Sequence, residues 1–368
     1  MSTSIYSATP LSDADIAVKA KKSVENELVW LISEVIVPGL PSLRDTLDFC
    51  LQQIDDTNET EFKLPLSSHN SEILKGVITR TNYKITALNV SIRNIKTLNS
   101  GRPYNIQLNP GETLILKQVL SCHDFIYNAI SIIDKVYGSH QDSSIPQLTP
   151  LETFNQMQKL VKAIQTAKDA LKTPPRSILF PETRLGSRKF TPPLPSLVSL
   201  DIFVSNADVS IDFRKLSPVT AKPWGIIVHP AQKLSFADVV RTRISQDRTM
   251  SVPNIIKAEY NKLVTWIDER KQSKEKQESS PLSAVISLFS GNNEPTMNNL
   301  LKTSSKYLEE CVTFVDSSNS PIVVTLDQSA EIMSPDPVLL SISVKLESLE
   351  KCCTRFCENL ETLLGLVH

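Results

Sequence analysis

Glycine is scarce in this chain, with nine in 368 residues and no pair spaced as Gly-x-Gly, about a third of the usual share. Phosphate-cradling loops need glycine so that backbone N–H groups can approach the ligand. Nucleotide-binding loops of the Walker and Rossmann kinds therefore lose their physical basis. Aromatic residues make up 6% and are not interleaved with basic ones, which leaves no stacking platform for single-stranded nucleic acid. Charge is balanced, with 39 Lys and Arg against 40 Asp and Glu, so no overall electrostatic footprint for nucleic acid or an acidic membrane exists. Cysteine is sparse and unpaired. Cys50, Cys122, Cys311, Cys352, Cys353 and Cys357 form no CxxC motif, which suits reduced thiols better than a disulfide framework. The N-x-S/T triplets at Asn58 and Asn89 are then chance matches. The first residues are polar, with Asp13 and Asp15 where a secretory signal needs a basic start and an apolar stretch. The most apolar early segment, Leu28 to Leu40, is broken by Glu34 and Pro38, and no run approaches the roughly 18 to 20 apolar residues that span a bilayer. The expectation is a cytoplasmic protein that reaches membranes only through a partner.

What is present is helix and strand periodicity in a chain long enough for two domains. Val24, Leu28, Leu31 and Val35 lie on one helical stripe after Ser12-Asp13, and the pattern resumes at Leu40, Leu43, Leu47, Cys50 and Ile54. This predicts a helix kinked or interrupted near Pro38 and Pro41. Period two then takes over. It marks a hairpin from Ile73 to Arg93 across Thr81-Asn82, and later strands at Leu197–Val204, Val209–Leu216 and Pro321–Leu326. Between them, Val119, Ile126, Ile130, Ile133 and Tyr137 predict one helix, and Phe154, Met157, Val161, Ile164 and Leu171 another, joined by a short polar loop that favours an antiparallel pair. The cleanest stripe is the last one. Leu339, Ile342, Leu346, Leu349, Cys353, Phe356, Leu360 and Leu363 step by three and four throughout. An intramolecular antiparallel bundle is the favoured partner for this stripe, with a dimeric zipper as the alternative.

The reading is α+β: a helical bundle domain from residues 12–58, 111–173 and 335–366, and a β-sheet domain from 60–108, 176–231 and 320–330. Residues 232–319 contain the run DERKQSKEKQESS and read as a flexible insertion, because such composition buries too little apolar surface to offset chain ordering.

No group of residues is spaced for catalysis. His69, His123, His140, His229 and His368 are far apart, and Cys122-His123 on a helix would point in different directions. Cys353 and Cys357 could share a soft metal, but Cys353 lies on the apolar stripe, where a small buried hydrophobe is the ordinary reading. Glu309-Glu310 looks like a solvated helix face. Pro192-Pro193-Leu194-Pro195 could serve as a polyproline ligand for an SH3 or WW domain. Its place just before a strand favours a structural role. No enzyme, cofactor or metal is expected.

Several fragments in order resemble the Rogdi family: Glu25 to Ile32 around Trp30, Lys75-Gly76-Val-Ile-Thr, Ala167 to Pro174, Leu179-Phe-Pro181-Glu182, Phe190 to Ser196 with Pro192, Pro193, Leu194 and Pro195, and Trp224 to Pro230 with His229. The resemblance covers most of residues 20 to 230 and, less distinctly, 320 to 365. It implies an elongated molecule with an antiparallel four-helix bundle at one end and an antiparallel sheet at the other. Its fungal members are the small subunit of the RAVE complex, which regulates the vacuolar H+-ATPase. The resemblance therefore implies a non-catalytic adaptor, peripherally recruited to vacuolar or endosomal membrane. Its implied partners are a large propeller-bearing RAVE scaffold subunit, the Skp adaptor and the catalytic sector of the ATPase, with no nucleic acid. The motif residues are structural or partner-binding. A helical scaffold or tether in vesicle traffic would show the same helical stripes and is the alternative.

Overall fold

The computed structural model describes residues 12–67, 74–93, 103–141, 146–229, 232–273, 296–315 and 320–367. A capping box opens the first helix: the Ser12 hydroxyl accepts from the Asp15 N–H at 3.2 Å, and the Asp15 carboxylate accepts from the Ser12 N–H. Helix α1 (Asp13–Trp30) runs through a π-helical turn (Leu31–Ile36) into α2 (Val37–Ile54). The expected kink or break near Pro38 and Pro41 is thus resolved without a break. Pro38 and Pro41 have no N–H to donate, and the π turn just before them re-registers the ladder, with the Val37 N–H reaching the Ile32 carbonyl.

Helix α3 (Lys117–Gln141) runs antiparallel to α2, because Asp55 meets His123 at 2.9 Å while Arg44 meets Asp134 at 2.7 Å. Helix α4 (Pro150–Lys172) packs on α3, and the last helix, α8 (Pro337–Val367), packs on α4 and on the α1–α2 rod. Three contacts set the α8 direction. Leu363 lies beside Trp30, Phe356 faces Gly39, and Lys345 sits over the Phe49 ring. The zipper-like stripe from Leu339 to Leu360 is buried within the chain's own core.

The expected single sheet is two larger sheets and a short hairpin. The first has the order β1 (Phe62–Ser67), β2 (Leu74–Thr81), β3 (Lys84–Ile92), β4 (Tyr104–Leu108) and β6 (Phe190–Thr191), with β5 (Leu114–Ile115) also on β3. All these pairs are antiparallel. Gly76 is obligatory in β2, since a Cβ there would lie 2.1 Å from the Asn89 carbonyl oxygen of β3. Gly76→Ala is expected to cost about 2 kcal/mol by forcing the strands apart, read as a lower urea midpoint.

The second sheet has the order β11 (Cys311–Val315), β12 (Pro321–Pro335), β8 (Asp208–Pro218) and β7 (Val198–Ser205). Two devices hold it to the helices. The Gln118 side chain of α3 bonds both the N–H and the C=O of Val204, at 2.7 and 2.6 Å, which satisfies the edge of β7. The β7–β8 turn donates the Asn206 and Ala207 N–H groups to the carbonyls of Lys172 and Leu171 at the end of α4. Both turn residues have positive φ.

Residues 232–273 and 296–315 depart from the flexible insertion expected there. They form β10 (Leu234–Ser235), paired with β9 (Ile227–His229), then α5 (Phe236–Gln246), α6 (Val252–Ser273), α7 (Met297–Glu310) and β11. These elements enclose a second core around Trp224, whose ring stacks on Tyr307 at 5.7 Å and meets Phe236 edge-on at 5.3 Å. Ile256, Tyr260, Leu263 and Ile267 of α6 line that core. The helix was legible as a stripe, but its apolar partner, Trp224, lies outside the charged region. Residues 274–280 of the charged run lie outside the described residues.

Candidate docking surfaces

The segment from Pro174 to Pro195 leaves α4, crosses the outer face of the second sheet and enters β7. Pro174 and Pro175 follow the α4 C-cap Thr173, where the missing N–H groups stop the helix. The Phe180–Pro181, Thr191–Pro192 and Lys222–Pro223 bonds are cis. The Phe180 N–H donates to the Asp201 carboxylate at 3.0 Å, and the Arg184 guanidinium donates to the carbonyls of Pro195 and Val198 at 2.9 and 2.5 Å.

Pro181 and Glu182 form one wall of a groove of about 550 Å³, faced by Leu234 of β10 and by Asp238 and Arg241 of α5. Its floor is β11, and every residue from Cys311 to Val315 lines it. Side chains of a strand alternate between faces, so a floor of consecutive residues means that the groove runs along the outer edge of this edge strand. Arg241 donates to the carbonyls of Leu308, Tyr307 and Cys311 at 2.7, 3.2 and 2.5 Å, which ties α5 to the end of α7 and covers the start of that edge. Thr313 anchors the middle by donating to the Asp238 carboxylate at 2.5 Å.

The other motif residues fall elsewhere. Trp30 is 59% exposed and lines a groove of about 350 Å³ with Leu31 and, from α8, Thr362 and Leu363. Gly76 lies within the first sheet. Leu194 is buried, while Pro192 and Pro193 are exposed and the Pro193 carbonyl accepts from the Tyr104 hydroxyl at 3.4 Å. His229 is exposed on β9, in a shallow pocket beside Glu259. Only Pro181 and Glu182 of these positions share the β11 groove.

Burial disfavours the thiolate at Cys50, Cys122, Cys311, Cys353 and Cys357. Burial pushes Cys353 up to about 12 and Cys357 up to about 11, and Cys122 is raised by burial beside Cys50. His123 points away from Cys122 toward Asp55 and Asp124. Among the described residues no helix is long and apolar enough to cross a membrane.

A family model described as Rogdi leucine zipper containing protein matches residues 27–361. The chain belongs to the Rogdi family. A relative from Saccharomyces cerevisiae, named Regulator of V-ATPase in vacuolar membrane protein 2, is 23% identical over 356 residues, covering 92% of each chain. The Rogdi match begins near the end of α1 and closes within α8, so it takes in both sheets and the Trp224 core.

Several residues that organise this Rogdi-family chain were silent in its sequence. Arg80 and Asp336 form a fully buried ion pair at 2.5 Å, and Asp201, Asp212 and Arg214 form a second buried charge group. Alternation places Arg80 on the same strand face as Ile78, but nothing local showed that Asp336 would meet it there.

Proposed function

We propose that this chain is a non-catalytic adaptor that regulates the vacuolar H+-ATPase by holding other proteins together. The observation that carries the reading is the yeast relative, which aligns over nearly the full length of both chains and is named a regulator of that pump in the vacuolar membrane. In this reading the chain is the small subunit of a RAVE complex. It joins the large scaffold subunit and the Skp adaptor to the detached catalytic sector, and helps that sector rejoin the membrane sector. Recruitment to vacuolar or endosomal membrane is peripheral, through these partners.

The packed helices act as an antiparallel four-helix bundle offering one face, and the sheets offer another. A standard interface needs only about 800 Å² per partner, so two separate surfaces are within reach of one chain of this size. Exposed motif residues, Trp30 at the helical end and Pro181 and Glu182 at the β11 groove, are assigned to partner contact, while Gly76 and Leu194 serve the fold. Cells lacking the protein are expected to acidify vacuoles poorly and to fail in reassembling the pump after it has come apart, with each pump subunit at normal level. The measurement is the amount of catalytic sector that sediments with vacuolar membranes. Equal recovery with and without the protein, together with normal acidification, would remove this reading.

A further inference from the structure

On the outer face of the second sheet, three carboxylates stand in one row. Asp201 of β7 pairs in register with Asp212 of β8, which pairs with Glu331 of β12. Residues directly opposite on antiparallel strands share a face, where like charges repel. The neighbours of these residues, Leu200, Ile211 and Ile332, point the other way into the large core, which fixes the acidic row on the outside. Yet the row is not solvated. Asp201 is 3% exposed and Asp212 8%, and only Glu331 reaches open solvent.

A single cation serves both buried acids. Arg214, two residues from Asp212 on the same strand face, bonds Asp201 at 2.5 Å through one terminal nitrogen and Asp212 through the other. Arg184 from the overlying segment adds a more distant positive charge toward Asp201. These groups also hold that segment down. The Phe180 N–H donates to Asp201 at 3.0 Å, the Arg214 guanidinium lies 5.7 Å from the Phe180 ring, and that ring meets Phe314 of β11 at 5.4 Å. Phe180 is thus the clasp of a strap whose next residues, Pro181 and Glu182, make the wall of the β11 groove.

We propose that this row is a proton-operated latch, in which uptake of one proton from solvent by Asp212 leaves Arg214 to Asp201 and fastens the Phe180 strap over the sheet. Burial, then the charges of Glu331 and Asp201, oppose ionisation of Asp212 against the pull of Arg214, and lift it to about 6. Asp201 is also raised, by burial, with the Phe180 N–H and Arg214 opposing. The closed state therefore holds a proton on Asp212 at a pH where the carboxyl, once wetted by strap opening, would release it. Closing strengthens as pH falls from neutral through about 6, and the gain is complete below the ordinary carboxylate range. The groove wall is accordingly set by pH, firm in mild acid and looser at neutral pH. The latch stands on the residues of the sheet and of the strap above it, and is independent of the pump reading.

Hydrogen exchange of peptides covering residues 176–190, corrected for intrinsic rates, tests this at pH 7.5 and 5.5 in the whole protein. Wild type should gain several-fold protection on acidification, with a ceiling of about a hundredfold set by the lift of Asp212 from the ordinary value. Asp212→Asn should show the high protection at both pH values, and Asp201→Asn, which loses the charged acceptor for Phe180, the low protection at both. Peptides of α3 serve as the folding control, and if Asp201→Asn perturbs them, wild type and Asp212→Asn decide. A wild-type strap that is unchanged or less protected at pH 5.5 overturns the latch, as does an undiminished pH response in Asp212→Asn.

Discussion

Replacing Asp336 with alanine should cost about 3 to 5 kcal/mol, the range for breaking a buried ion pair by removing one partner, and should lower the urea midpoint accordingly. Asp336 serves two elements at once. Its carboxylate receives the Arg80 guanidinium at 2.5 and 2.9 Å, and it accepts the Val338 and Leu339 N–H groups at 3.1 Å as the cap of α8. Both charged side chains are fully buried, so the alanine leaves a guanidinium supported by the Asn82 carbonyl at 2.5 Å and by the Phe62 ring, over which it lies 4.9 Å from the centroid. It also uncaps the longest helix. Arg80→Met should cost less than Asp336→Ala, because the stranded carboxylate keeps its two backbone donors. Combining Arg80→Met with Asp336→Ser, which retains a capping oxygen, should cost clearly less than the sum of the single changes. Additivity within about 0.5 kcal/mol would show that the pair does not couple the first sheet to α8.

Trp224→Ala should be comparably severe, at about 3 to 5 kcal/mol. The indole is 1% exposed and stands between Phe236 of α5 and Tyr307 of α7. Around it, Ile256 and Leu263 of α6 and Leu300 of α7 close a core separate from that of the long helices. The expected readout is specific. Limited proteolysis should open α5 to α7 at denaturant concentrations that leave α3 and α4 protected, since the latter are packed in the large core. Simultaneous loss of both regions would mean that the two cores unfold as one unit.

The long helices were legible because each carries its own stripe. A run such as Leu339, Ile342, Leu346, Leu349 and Cys353 specifies a helix and its buried face without reference to any other segment. Turn chemistry was equally local: the hairpin across Thr81-Asn82 was read from the sequence, and Asn82 takes the positive φ there. The region around Trp224 was misjudged for the opposite reason. Its charged run is continuous in sequence, whereas the apolar residues that bury α6 come from Trp224, Phe236 and Leu300, spread over separate elements.

The candidate surfaces divide along the same line. Pro181 and Glu182 were singled out by resemblance, but their groove exists only because β11 arrives from residues 311–315 to form the edge of a sheet begun near residue 198. Arg241 likewise gains its place through the carbonyls of α7 and β11.

By itself the sequence determined the α+β class, the buried stripes of the long helices, the family and the scarcity of phosphate-binding loops, since each depends on spacing or composition along one segment. Tertiary structure alone decided the division into two sheets, the burial of Arg80 against Asp336, and the row of Asp201, Asp212 and Glu331. Those features depend on how segments distant along the chain meet, and a shift of one residue in strand register would turn the charges of such a row to the other face.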